Sequence, residues 1–150
     1  MDKSELKKKL LETCIAMQQK RLDVVQHEIN DAQHSANEYG QPKDRYDSFR
    51  MQLLRKKDML GQQLQKINAE FIGLKKINTK TMMDKVSFGT IVITNDQKLF
   101  ISIGLGKLEF GKDTYFAISP NVPLFEAMKG LSKGEEFTFM EKRRKIIDVF

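Results

Sequence analysis

Leu11 to Pro42 reads LETCIAMQQKRLDVVQHEINDAQHSANEYGQP, and the last five of these residues decide the fold. Before them, apolar residues recur every seven positions. One track is Ile15, Leu22, Ile29 and Ala36; the other is Leu11, Gln18, Val25, Ala32 and Tyr39. Two tracks offset by three and four make a single stripe along an α-helix, the seam of a coiled coil. The stripe ends at Glu38-Tyr39-Gly40-Gln41-Pro42. Gly40 suits the left-handed residue just beyond a helix, and Pro42 suits the first turn of the next one. A second stripe then begins: Tyr46, Phe49, Leu53, Leu60, Leu64, Ile67, Phe71 and Leu74 step by threes and fours, with Lys57 filling the one gap. So short a break allows only a tight reversal. Two arms of about 35 residues, each roughly 50 Å long, are therefore predicted to form an antiparallel coiled-coil hairpin.

Outward from this hairpin, Asp2 with Glu5 has the pattern of a capping box at the start of the first helix. Gly61 and Gly73 weaken the second arm slightly. Gln18, Lys56, Gln63 and Glu70 at or near the seam make its packing imperfect. After residue 78 the period changes. Val86–Thr94, Leu99–Ile103, Thr114–Ile118, Phe137–Met140 and Lys145–Val149 are short and rich in Val, Ile and Phe, and are predicted strands. Asn95-Asp96, Gly104–Gly106 and Gly111 mark turns between them. Pro123 to Lys129 reads as one short helix stopped at Gly130. The expected fold class is α+β: a helical hairpin over residues 1–79, then a small antiparallel sheet domain with one short helix over residues 80–150. Residues 79–85 link the two.

The remaining composition excludes more than it selects. No apolar run approaches the roughly 20 residues that span a bilayer, and the charged start Met1-Asp2-Lys3-Ser4-Glu5-Leu6 lacks a signal region. A cytoplasmic location without membrane contact is expected. A single cysteine, Cys14, makes no internal disulfide and no zinc set. It sits beside the seam of a helix, not at an exposed turn with a histidine partner, which excludes acyl-transfer chemistry. Gly104-Leu105-Gly106 lacks the following helix of a phosphate loop and reads as a turn. The many phenylalanines of the second half read as core, not as a stacking platform.

Charge is uneven. Of the net +6, residues 1–82 carry 16 basic and 11 acidic side chains, whereas Glu28 to Asp47 holds five acids against two bases. A basic body with an acidic middle points to nucleic acid or an acidic protein partner. Lys7-Lys8-Lys9, Arg55-Lys56-Lys57 and Lys142-Arg143-Arg144-Lys145 are the basic runs that such a partner would meet. His27, Asp31, His34 and Glu38 fall on one helical face turned away from the seam, and read as a solvated face.

A basic hairpin with an acidic apex, followed by a small sheet domain, resembles the bacterial Gre transcript-cleavage factors. Ile118-Ser119-Pro120-Asn121-Val122-Pro123-Leu124 is similar to the family segment I-S-P-x-S-P-L. Gly130 with Lys133-Gly134-Glu135 is similar to the glycine segment that follows it, and Phe88-Gly89-Thr90-Ile91-Val92 to the opening G-x-x-V strand. The resemblance implies an FKBP-like C-terminal domain that docks on RNA polymerase at the rim of the secondary channel, with Ser119, Pro120, Leu124 and Phe125 in the docking region. It implies that the hairpin enters the channel, contacting the RNA and DNA of the elongation complex only indirectly. A weaker implication of the FKBP-like domain is prolyl isomerisation, for which the absence of tryptophan removes an expected cage residue.

The family apex reads Asp-x-x-Glu-Asn-Ala-Glu-Tyr. Here Ala32 to Tyr39 reads Ala-Gln-His-Ser-Ala-Asn-Glu-Tyr, so Ala32 and Ser35 stand where the family has acids. In the family's chemistry, tip acids help to hold a Mg²⁺ of the polymerase that activates water on backtracked RNA. The candidates for that role are Glu38, Asp44 and Asp47, with Asp31 secondary. The chain itself is expected to be no enzyme, to carry no metal or cofactor of its own, and to be monomeric. Three readings stay open: a factor that stimulates transcript cleavage, a channel-occupying regulator without cleavage, and a coiled-coil adaptor unrelated to polymerase.

Overall fold

The computed structural model describes residues 2–39 and 47–150. Helix α1 spans Lys3–Tyr39 and helix α2 spans Ser48–Lys75. The cap at Asp2 is made: its Oδ1 accepts the Glu5 N–H at 2.7 Å, one of the orphan donors of the first turn. The arms are unequal, 37 and 28 residues. Helix α2 opens at Ser48 with Asp47 as its cap, and the predicted reversal at Gly40 to Pro42 lies outside the described residues. Among the described residues no helix is long and apolar enough to cross a membrane.

By packing, the chain divides into one unit of Gln18–Phe71 and another of Met1–Met17 with Ile72–Phe150. The first turns of α1 and the end of α2 share a core with the sheet. In the hairpin unit, Val25, Ala32, Leu60 and Ile67 are buried, and Leu22, Ile29, Leu64 and Phe71 pack around them. Gln18 Nε2 donates to the Ile67 carbonyl at 3.1 Å, and Lys57 Nζ to Gln33 Oε1 at 2.6 Å. A higher number on α1 thus meets a lower one on α2, which is the antiparallel order.

The other unit contains β1 (Ile91–Thr94), β2 (Lys98–Ile101), β3 (Gly106–Phe110), β4 (Asp113–Ile118), helix α3 (Pro123–Met128), β5 (Glu136–Phe139) and β6 (Lys142–Val149). They form one sheet in the order β3-β4-β2-β1-β6-β5. The sheet is mostly antiparallel, but β2 and β4 run parallel, with Leu99 opposite Phe116 and Ile101 opposite Ile118. The expected antiparallel sheet with one short helix is thus present, with this one parallel pair inside it. Strand β3 was unexpected: it has only Leu108 buried, and the glycines beside it read as turns. The predicted strand Val86–Thr94 shortens to Ile91–Thr94, since Gly89 at φ +90° bends the chain before it.

Successive strand residues point to opposite faces. Ile91, Phe100, Leu108, Tyr115 and Ala117 meet Leu10, Cys14 and Leu74 of the helices. Val92, Leu99, Ile101, Phe137 and Ile146 meet Phe125 and Met128 of α3. Both faces are therefore covered, which explains runs such as Leu99-Phe100-Ile101 in place of strict alternation. Phe100 is fully buried, worth about 2 kcal/mol of transfer free energy. The segment after α2 is strapped to α1: Ser4 Oγ donates to the Thr79 carbonyl at 2.9 Å, and Lys7 Nζ to the Thr81 carbonyl at 3.2 Å. Lys7 is buried, so the run Lys7-Lys8-Lys9 is not a uniform basic surface.

Candidate functional site

The apex of the hairpin unit is built from the end of α1 and the start of α2. On α1, His27 Nε2 lies 3.3 Å from Asp31 Oδ2, and His34 Nε2 lies 3.1 Å from Glu38 Oε1. Both are pairs four apart on one helix face, and all four side chains are at least 66% exposed. This is the solvated face expected from the sequence. Asp31 and Glu38 thus point outward, each beside a histidine.

Asp47 is engaged differently. Its Oδ1 accepts the Arg50 N–H at 3.2 Å, the N-cap bond of α2, and its carbonyl accepts the Met51 N–H at 3.1 Å. Its Oδ2 accepts a hydrogen bond from the Tyr39 hydroxyl. The Tyr39 ring packs on Phe49 with centroids 4.7 Å apart and planes tilted by 53°. Tyr39, Asp47 and Phe49 therefore close the ends of the two arms together. The sequence reading placed Tyr39 on the seam track and Phe49 on the second stripe but did not pair them. Their position on either side of the reversal was the available signal.

A hard divalent cation needs several oxygens converging at about 2–2.6 Å. Asp31 and Glu38 face solvent, and both carboxylate oxygens of Asp47 accept hydrogen bonds. Asp44, the remaining candidate, lies outside the described residues. Among the described residues no group of three or more His, Cys, Asp or Glu side chains is placed to hold a metal ion. Ala32, which stands where the family carries an acid, is 3% exposed in the seam.

The segment Ile118 to Leu124 forms the corner between β4 and α3 in the sheet unit. Ser119 Oγ accepts the Asn121 N–H at 3.0 Å, and the Ser119 carbonyl accepts the Val122 N–H at 3.4 Å. Pro123 opens α3, where its missing N–H costs nothing. Ser119, Pro120 and Leu124 are half-buried. Phe125 is 5% exposed and sits in the core beneath α3, so its side chain supports the corner from inside. Gly130 and Gly134 adopt φ of +78° and +89°, where a Cβ strains the backbone. Their N–H groups donate to Val86 and Ile146 carbonyls at 2.9 and 2.8 Å, which anchors the loop after α3 to the sheet.

Two other sequence features take a definite form. The basic run on β6 is largely tied to acids: Lys142 Nζ lies 3.0 Å from Asp96, Arg144 Nε lies 3.6 Å from the same carboxylate, and Arg143 pairs with Glu136. Desolvation pushes the Asp96 carboxyl up, but hydrogen bonds from Lys142 and Thr94 and the charges of Arg144 and Lys142 outweigh it and hold it below its ordinary value. Cys14 is buried, with Sγ 3.9 Å from Ser102 Oγ. Burial pushes its thiol up to about 11, so it is protonated and unreactive at neutral pH.

No family model matches the chain, and no curated protein matches it. Solved structures similar to it include two Gfh1 structures. One, described as the transcription factor Gfh1, aligns over 98% of this chain and 92% of its own at 16% identity, with a TM-score of 0.33. The other, GreA factor homolog 1 of Thermus thermophilus, aligns over 98% and 94% at 13% identity, with a TM-score of 0.34.

Proposed function

We propose that this chain is a Gre-like regulator of transcription elongation that binds RNA polymerase, places its helical hairpin in the secondary channel and slows nucleotide addition without driving transcript cleavage. The binding half of this reading is supported by the Ile118–Leu124 corner. Its residues resemble the family's docking segment, and the glycines after it occupy backbone positions that favour glycine. The regulatory half is carried by one observation: Asp47 uses both carboxylate oxygens to cap α2 and to hold Tyr39. A mobile metal at Asp47 would compete with the α2 cap and with the Tyr39 hydroxyl for these oxygens. With Asp31 and Glu38 on an outward face, the reading favours obstruction of the channel over metal-assisted hydrolysis.

The test uses a backtracked elongation complex assembled with polymerase of the same source. The expected result is polymerase binding, slower extension of the transcript in proportion to the factor, and no short 3′ RNA fragments. Fragments that depend on the factor and on Mg²⁺, and that vanish in Asp44→Ala with Asp47→Ala, would replace this reading with that of a cleavage factor. Absence of binding removes the polymerase reading altogether and leaves a coiled-coil adaptor.

A further inference from the structure

On the flank of the hairpin unit, away from its apex, a groove of about 440 Å³ runs between α1 and α2. Its floor is aliphatic. Val25 and Ile67 are buried there, and Val24 is 58% exposed. Its rim is cationic, with Lys20 and Arg21 on α1 and Lys66 on α2. Among the described residues neither Lys20 nor Lys66 is in an ion pair, whereas Lys98 and Lys142 of the sheet pair with Asp113 and Asp96. The one acid in the lining, Glu70, receives the Gln18 amide at 3.4 Å. The groove therefore joins an apolar floor to an excess of positive charge.

We propose that this groove docks an acidic protein segment that presents an aliphatic side chain to Val24, Val25 and Ile67. Carboxylates on the segment pair with Lys20 and Lys66, while its aliphatic side chain covers Val24. Such amphipathic grooves recognise apolar anchors spaced along a peptide, with charge setting orientation. Nucleic acid fits less well. Phosphates would meet the cations, but an unstacked base seeks an aromatic ring, and the lining contains none. The site stands independently of the polymerase reading, since it uses neither the apex acids nor the Ile118–Leu124 corner.

Fluorescence anisotropy on the full chain tests it, with two fluorescein-labelled peptides of equal glutamate content. One carries leucines three and four residues apart; the other has serine in their place. The leucine peptide should bind saturably, and the serine peptide about tenfold or more weaker. Val24→Ser and Lys66→Glu should each weaken the leucine peptide by about tenfold, with helix content by circular dichroism unchanged. The proposal fails if neither peptide saturates, or if the two bind alike. It also fails if Lys66→Glu matters, Val24→Ser does not, and a labelled oligouridylate displaces the peptide, because the surface then serves nucleic acid.

Discussion

Lys7 shows how one side chain carries a local conflict. It is buried against the strap at Thr79–Thr81, with its ammonium donating to a single carbonyl. Desolvation lowers its pKa from 10.5. A lysine whose folded value is depressed destabilises the fold while it is charged, and that penalty fades as pH rises toward the unfolded value. Lys7→Met should therefore raise stability near neutral pH by about 1 kcal/mol, because an apolar group of similar length avoids the desolvation cost. The difference from the native chain should shrink as pH approaches 10.5 from below, as urea denaturation at two pH values would show. Asp47 is the opposite case, a carboxylate with a hydrogen bond to each side-chain oxygen. Asp47→Ala loses the α2 cap and the partner of Tyr39, and should lower the melting free energy by about 1–2 kcal/mol. Asp47→Asn keeps a capping oxygen and should recover most of it. Equal losses in the two variants would deny the cap its role.

At the scale of elements, the seam and the sheet are stabilised in different ways. The hairpin unit buries a single stripe, in which Leu60 is 1% exposed among Val25, Ala32 and Ile67. Leu60→Ala should cost about 2–3 kcal/mol through lost transfer and a residual cavity. Hydrogen exchange should accelerate over residues 18–71 more than over the strands, since each packing unit draws on its own core. In the sheet unit, α3 covers one face with Phe125 and Met128. Phe125→Ala should lower the melting temperature sharply, at a cost of about 3–5 kcal/mol. Pro120→Ala, half-buried in the corner, should leave it nearly unchanged while weakening polymerase binding. If Pro120→Ala binds polymerase as the native chain does, the corner is structural only.

For the whole molecule, the proposed division of labour is docking by the sheet unit and obstruction by the hairpin. Removing one heptad from each arm, Leu22–Glu28 and Met59–Gln65, keeps the period of the seam and shortens the hairpin by roughly 10 Å. The shortened chain should still bind polymerase in a pull-down, yet no longer slow nucleotide addition. Loss of binding as well would place the docking contacts on the hairpin and overturn the division.

The sequence by itself determined the hairpin, the short helix at Pro123 and most of the strands. Those features are local: a period of 3.5 or 2, a glycine or proline at a boundary, a cap three residues from its N–H. It also placed His27, Asp31, His34 and Glu38 on a solvated face, since helical spacing alone settles which residues share a side. Only the tertiary structure decided the rest. The parallel pairing of β2 with β4, and the edge strand β3 with one buried residue, depend on partners far along the chain. Phe125 became core and Lys7 became buried for the same reason: burial is set by what packs on a residue, not by its neighbours in sequence. The bonds that hold Asp47 were equally hidden, because a carboxylate reads the same in sequence whether it caps a helix, holds a tyrosine or waits for a metal.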